Sequence, residues 1–327
     1  MALPDFLIIG APKAGSTALH GALEQHPQLF MPSPKETKFF LTGERRPARA
    51  DHRGPGDAHS AQEWIWRREA YEALFDVAPP GALRGESTPF YLWDAAAHRR
   101  IHALVPGAKL IAVIRDPVDR AYSNWTHLWA DGLEPEGDFL AACRLERRRI
   151  ADGYAPFWRY LELGKYGEQL TQLFQVFPRE QVCVVRYREL IDMPRQTLAR
   201  ISDFLGVDPS AVTAIPGSNV SHWAGNSPRD ALLRRAIRAG ARLGSYAPPQ
   251  VWRRTSAPLI NALHRHGTER PSLPVDVRRE LVEHYREDIA VLEDLLGRSF
   301  QDWLGDSGRG TYAVRRSLEP SERDASQ

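Results

Sequence analysis

The chain has 327 residues, 43% of them apolar, enough for one full core or one large domain with an elaborated edge. Its 43 basic and 41 acidic residues leave a formal charge of +2, which argues against nucleic acid as the main partner. Two cysteines, Cys143 and Cys183, are too few for a disulfide framework and point to a reduced, cytoplasmic protein.

The opening MALPDFLIIG is far shorter than a membrane span and has no basic leader, so residues 6–9 read as a first core strand, with neither secretion nor anchoring expected. It runs into the Gly-rich turn Gly10-Ala11-Pro12-Lys13-Ala14-Gly15 and a helix over residues 17–25 that Pro27 stops. Residues 41–60, with their Arg, Pro and Gly, read as a loop that is flexible or ordered by a ligand. A helical run over 63–75 ends at Pro79-Pro80-Gly81. A short edge-like element over 83–86, the turn Ser87-Thr88-Pro89 and a helix over 94–105 follow. The uninterrupted Leu110-Ile111-Ala112-Val113-Ile114 within 109–114 is what a parallel strand covered on both faces requires. Asp116 then suits an N-cap with Pro117 at the first helical position, and Val118, Tyr122, Trp125 and Trp129 form an apolar stripe.

Further on, a helix over 170–177, a strand over 182–185 and a helix over 197–205 closed by Gly206 continue the alternation. Residues 211–275 read as an irregular region covering the acceptor or cofactor. A long helix over 276–296 follows, and residues 306–327 form a polar tail expected to be disordered. The alternation predicts an α/β, three-layer P-loop-like fold, with a central parallel sheet flanked by helices, in a single domain over 1–305.

The spacing Gly10-x4-Gly15 resembles a Walker loop, but that loop places lysine directly after its last glycine, and here Ser16 stands there while Lys13 lies three residues after Gly10. ATP hydrolysis is thereby disfavoured, whereas an anion held by loop amides and a helix dipole is not. The chain has five lysines, Lys13, Lys35, Lys38, Lys109 and Lys165, and three of them fall in the two segments that look chemical on other grounds.

APKAGSTAL resembles the loop that binds the 5′-phosphosulfate of 3′-phosphoadenylyl sulfate (PAPS) in sulfotransferases, and residues 113–124, VIRDPVDRAYSN, resemble that family's 3′-phosphate site. The likeness is to the PAPS-dependent sulfotransferase family, and within it to the bacterial and carbohydrate-type, Golgi-like domain. It implies that Lys13, Ala14, Gly15, Ser16, Thr17 and Ala18 take the 5′ side and that Arg115 and Ser123 take the 3′-phosphate. In the similar segment Gly164–Leu170, Tyr166 borders the nucleotide or is a core tyrosine.

Pro34-Lys35-Glu36-Thr37-Lys38-Phe39-Phe40 resembles the Lys-Glu-x-x-Phe-Phe segment of the carbohydrate-type members, which makes Glu36 the implied catalytic base, while Lys13 is expected to stabilise charge growing on the leaving phosphate oxygen. A carboxylate within hydrogen-bond reach can take the proton an acceptor hydroxyl must lose, and Lys35 and Lys38 are expected to hold the Glu36 pKa low. His20 and His127 are the competing bases. Where the heparan-modifying branch carries lysine this chain has Ser87, which weakens the case for a long polyanionic glycan. Residues 219–229 lack a clear Lys-Gly-Arg cofactor loop.

The implied reaction moves the sulfuryl group of PAPS to a hydroxyl of a small-molecule, lipid or carbohydrate acceptor. It leaves 3′-phosphoadenosine 5′-phosphate (PAP), with no metal expected. Trp64, Trp66, Phe90, Tyr91, Trp93 and Trp125 line an apolar acceptor pocket or pack the core. The rivals are a small-molecule or nucleotide kinase with an atypical phosphate loop, and a non-catalytic binding protein supported by the basic stretch 144–149.

Overall fold

Phe6-Leu7-Ile8-Ile9 has no polar face, so in water it can only be an interior strand, and all four side chains are fully buried. The computed structural model describes residues 2–47, 60, 64–216, 228–244, 249–264 and 271–306. Five parallel strands form the sheet: β1 (Phe6–Gly10), β2 (Leu29–Phe30), β3 (Leu83–Ser87), β4 (Lys109–Ile114) and β5 (Val182–Arg186), in the order β2-β3-β1-β4-β5. In the centre Ile8 lies beside Ser87 on one side and Ile111 on the other, and Val113 lies beside Val185.

Around the sheet run α1 (Ser16–Leu23), α2 (Phe39–Thr42), α3 (Arg68–Glu72), α4 (Ala95–Leu104), α5 (Pro117–Ala130), α6 (Phe139–Arg144) and α7 (Glu146–Ala151). They are followed by α8 (Tyr166–Phe174), α9 (Tyr187–Asp192), α10 (Pro194–Leu205), α11 (Pro228–Gly244), α12 (Pro249–His264) and α13 (Val275–Leu296). The period of two divides the core. Leu7, Ile9, Leu110, Ala112 and Ile114 face α4, α5, α8 and α13, while Phe6, Ile8, Ile111, Val113 and Val185 face α1 and α10. The result is the expected three layers, with every strand's carboxyl end on one rim, where open parallel sheets bind ligands.

The structure departs from the sequence reading in three places. The element at 83–86 is no edge, because the two-residue β2 pairs Leu29 with Leu83 and Phe30 with Arg84 on its outer side. The run at 63–75 condenses to α3 and a 3-10 turn at Ala73–Phe75, with residues 61–63 outside the described set.

Most of the region read as irregular, 211–275, is the helix pair α11 and α12. α11 buries Asp230, Arg234, Ile237 and Ala241, and α12 buries Trp252, Ser256, Ile260 and Leu263. Both sets have helical spacing, but polar members and Pro258 hide it from a hydropathy scan. The tail at 307–327 and most of the loop at 41–60 lie outside the described residues.

Candidate active site

The turn after β1 is tied to the next strand by the Ala11 N–H, which donates to the Val113 carbonyl at 2.5 Å, and is tightened by an Ala14 N–H to Ala11 carbonyl bond of 3.1 Å. Lys13 has φ 66° and Gly15 φ 101°. A Cβ on Gly15 would stand 2.7 Å from the Tyr187 ring, so only glycine satisfies both the left-handed backbone and the close approach. α1 starts at once with Ser16 and has no side chain capping its N-terminus. The amides of its first turn, over Ser16, Thr17 and Ala18, therefore face the turn with the positive end of the helix dipole. Ala14 and Ser16 are buried beneath the loop, and Thr17 is exposed.

Arg115 leaves the end of β4, the strand beside β1. Its guanidinium donates to the Lys13 carbonyl at 3.4 Å and stacks 4.9 Å from the Tyr187 ring. One tyrosine, at the start of α9, thus closes on both the Gly15 turn and Arg115, which brings the two predicted phosphate-binding groups into one cleft. Asp116 caps α5 by accepting from the Val118 and Asp119 N–H groups at 2.9 and 3.1 Å. The same carboxylate pairs with buried Arg278 of α13 at 2.5 Å. Ser123 lies two turns into α5, half-buried. Tyr166 is 1% exposed at the start of α8 beside the Arg115 backbone, so the structure places it in the core behind the cleft.

The second group of predicted residues hangs from the end of β3. The Glu36 N–H donates to the Ser87 carbonyl at 3.0 Å, and Lys35 Nζ pairs with Glu36 Oε1 at 2.6 Å. Lys38 turns inward. It is 3% exposed, its ammonium bonds the Ser60 hydroxyl, and it lies 5.2 Å from the Trp64 ring and 5.8 Å from Phe90. Among the described residues only four non-glycine residues have positive φ, and three of them are Lys13, Glu36 and Lys38. Such conformations cost on the order of 1–3 kcal/mol each and persist where the surroundings over-determine them.

His20, on α1, is the histidine in the field of Lys35 and Glu36. Burial, then Lys35, lowers its pKa to about 4 against the opposing pull of Glu36, so at neutral pH it is an uncharged imidazole. His127 stands on α5 with its ring edge-on to Phe157. Of the candidate acceptor aromatics, Phe90, Tyr91 and Trp125 are buried core residues, whereas Trp64, Trp66 and Trp93 are partly buried.

The sequence reading passed over Glu86, which is 1% exposed at the end of β3. Its Oε1 accepts hydrogen bonds from Thr37 (2.9 Å), Thr88 (2.5 Å) and Tyr91 (3.2 Å), and its Oε2 accepts one from Tyr71 (3.2 Å). Burial pushes its pKa up to about 7, against the four hydroxyls that favour the charged form. Only a glutamate next to the end of a short strand marks it in the sequence. Asp131, at the far end of α5, was passed over too: burial raises its pKa while Arg253, His264 and Lys13 pull it down. A hollow of about 610 Å³ lined by Asp5, Pro79, Leu83 and Arg84 opens at the opposite end of the sheet and takes no part in this site.

The model of the sulfotransferase family matches residues 4–210. The mouse heparan sulfate glucosamine 3-O-sulfotransferase 3B1 is 31% identical over 206 residues, which cover 63% of this chain and 46% of that protein. The human bifunctional heparan sulfate N-deacetylase/N-sulfotransferase 2 is 29% identical over 228 residues, covering 63% and 22%. The chain thus spans about half or less of the length of these curated relatives. The crystal structure of a sulfotransferase from Alicyclobacillus acidocaldarius superposes with a TM-score of 0.69 at 29% identity, covering 93% of this chain and 99% of that one. With the family model spanning β1 through α10, the phosphate turn and Arg115 included, this chain belongs to the sulfotransferase family.

Proposed function

We propose that the protein transfers the sulfuryl group of PAPS to the hydroxyl of a small-molecule, lipid or carbohydrate acceptor. The observation that carries this reading is the shared Tyr187 wall, which sets the Lys13 turn and Arg115 in one cleft at the rim of two neighbouring strands. The uncapped α1 and the turn amides that lead into it suit a phosphate. PAPS, when bound, supplies the sulfuryl group and leaves as PAP.

Lys13 and the amides over Ala14, Gly15, Ser16, Thr17 and Ala18 would hold the 5′ side and stabilise charge growing on the leaving oxygen. Arg115 and Ser123 would hold the 3′-phosphate, with the Arg115 fork fixed by its stacking on Tyr187. Glu36 would accept the acceptor's proton, poised by the Lys35 ammonium. Tyr166, buried behind Arg115, would border the nucleotide from the core side. The unpaired Cys143 and Cys183 fit a cytoplasmic setting, and no helix among the described residues is long and apolar enough to cross a membrane.

Calorimetric titration with PAP, ADP and ATP tests the donor: preference for PAP is expected, preference for ATP would favour the kinase, and no binding would favour a scaffold. A mass-spectrometric screen for the gain of one sulfuryl group across sugars, lipids, phenols and hydroxylated metabolites identifies the acceptor. In that assay Lys13→Ala is expected to lower turnover by about 10²–10³-fold. Glu36→Gln is expected to suppress turnover with PAP affinity retained; unchanged turnover would move the base role to His20 or His127.

A further inference from the structure

We propose that Glu86 is a positioning residue for the Glu36 carboxylate, acting through Thr37. The inference rests on the reading of Glu36 as the base. The bend from Glu36 to Lys38 holds two left-handed residues, φ 63° and 58°, so it cannot set itself and must be held from outside.

What holds it converges on one carboxyl group. Thr37 Oγ1 donates directly to Glu86. The Lys38 N–H donates to the Thr88 hydroxyl at 3.3 Å, and that hydroxyl donates to Glu86. The Phe40 N–H donates to the Tyr91 hydroxyl at 3.3 Å, and that hydroxyl too reaches Glu86. The rings above follow the same plan: Phe39 stacks on Tyr71 at 4.2 Å and Phe40 meets Tyr91 edge-on at 5.5 Å, the two tyrosines whose hydroxyls bond Glu86.

Four hydroxyl donors converge on Glu86. A buried carboxyl is costly where an apolar side chain would only fill space, and what it adds here is several acceptor lone pairs that fix several donors at once. Because the next residue, Ser87, receives the Glu36 N–H, the end of β3 sets both the main chain and the neighbour of the proposed base.

The test compares Thr37→Val, Thr37→Ser, Glu86→Gln and Glu36→Gln, each with PAP affinity by calorimetry, a crystal structure with PAP, and turnover on the acceptor returned by the screen. Thr37→Val removes one hydroxyl at nearly constant shape, so it stays informative if Glu86→Gln fails to fold. It is expected to move the Glu36 carboxylate by about 1 Å, to lower kcat at least about tenfold at constant KM for PAPS, and to leave PAP affinity unchanged. Thr37→Ser should restore all three, and Thr37→Val added to Glu36→Gln should cost nothing more, as two residues acting through one group require. A Glu36 carboxylate in its original place in Thr37→Val with wild-type kcat would overturn the proposal. Wild-type turnover in Glu36→Gln would instead remove the base reading, whatever the crystal shows of Thr37.

Discussion

Glu86 and His20 are displaced from their ordinary ionisation in opposite senses, and their effects on stability run against each other. Glu86 ionises near 7 when folded and near 4.5 when not, so the folded state binds the extra proton between those values; its contribution is full below about 4.5 and is lost as the pH rises toward 7. His20 ionises near 4 when folded and near 6.5 when not, so its contribution is full above about 6.5 and is lost as the pH falls toward 4. Each is worth at most on the order of 3 kcal/mol, less for the partly exposed histidine. Over the shared window the two offset. Urea denaturation across pH 4.5–7 is therefore expected to show stability rising with pH in Glu86→Gln and falling in His20→Gln. Parallel profiles for both variants and the wild type would refute the assignment. Neither effect is legible in the sequence, because each arises first from burial, which exists only once folding has brought distant segments together around the group.

At the scale of elements, β4 and α5 were read correctly because their signals are local: an unbroken apolar run, then an aspartate that caps and a proline at the first helical position. β3 reads as an edge in the sequence because its outer partner is two residues long and carries no pattern of its own. α11 was missed because its buried face is anchored by an arginine, which a hydropathy scan scores as surface. The junction of α13 with α5 was equally invisible. Arg278, 3% exposed, pairs with Asp116 and with Asp119 at 3.3 Å and donates to the carbonyls of Gly305 and Trp303 at 2.8 and 3.1 Å. Arg278→Ala would leave the α5 cap buried without its cation, at a cost of about 3–5 kcal/mol. Because that cap directly follows Arg115, PAP affinity is expected to fall together with the denaturation midpoint; a lowered midpoint with unaltered affinity would confine Arg278 to structural support.

Across the whole molecule, the rim of the sheet carries the chemistry while α11 and α12 attach to the far end of α5. Arg234 stacks 3.8 Å from the Trp129 ring and donates to its carbonyl at 2.9 Å, and Arg253 and His264 approach Asp131 at 3.4 and 3.6 Å. Beside these polar contacts Ile237, Ala241, Trp252, Ile260 and Leu263 join the main core cluster. Arg234→Ala is expected to speed amide exchange throughout α11 and α12 while β1, β4 and β5 keep their protection, and uniform loss of protection would show the pair to be inseparable from the sheet.

The left-handed backbones of Lys13 and Glu36 have one further consequence. Glycine or asparagine would relax both positions, so a library sorted only for heat resistance should drift toward them there, whereas at Lys38 the buried ammonium's bond to Ser60 opposes the change. The drift would strip away an ammonium and a carboxylate. With the roles proposed for them, durability and turnover would be selected in opposite directions at both.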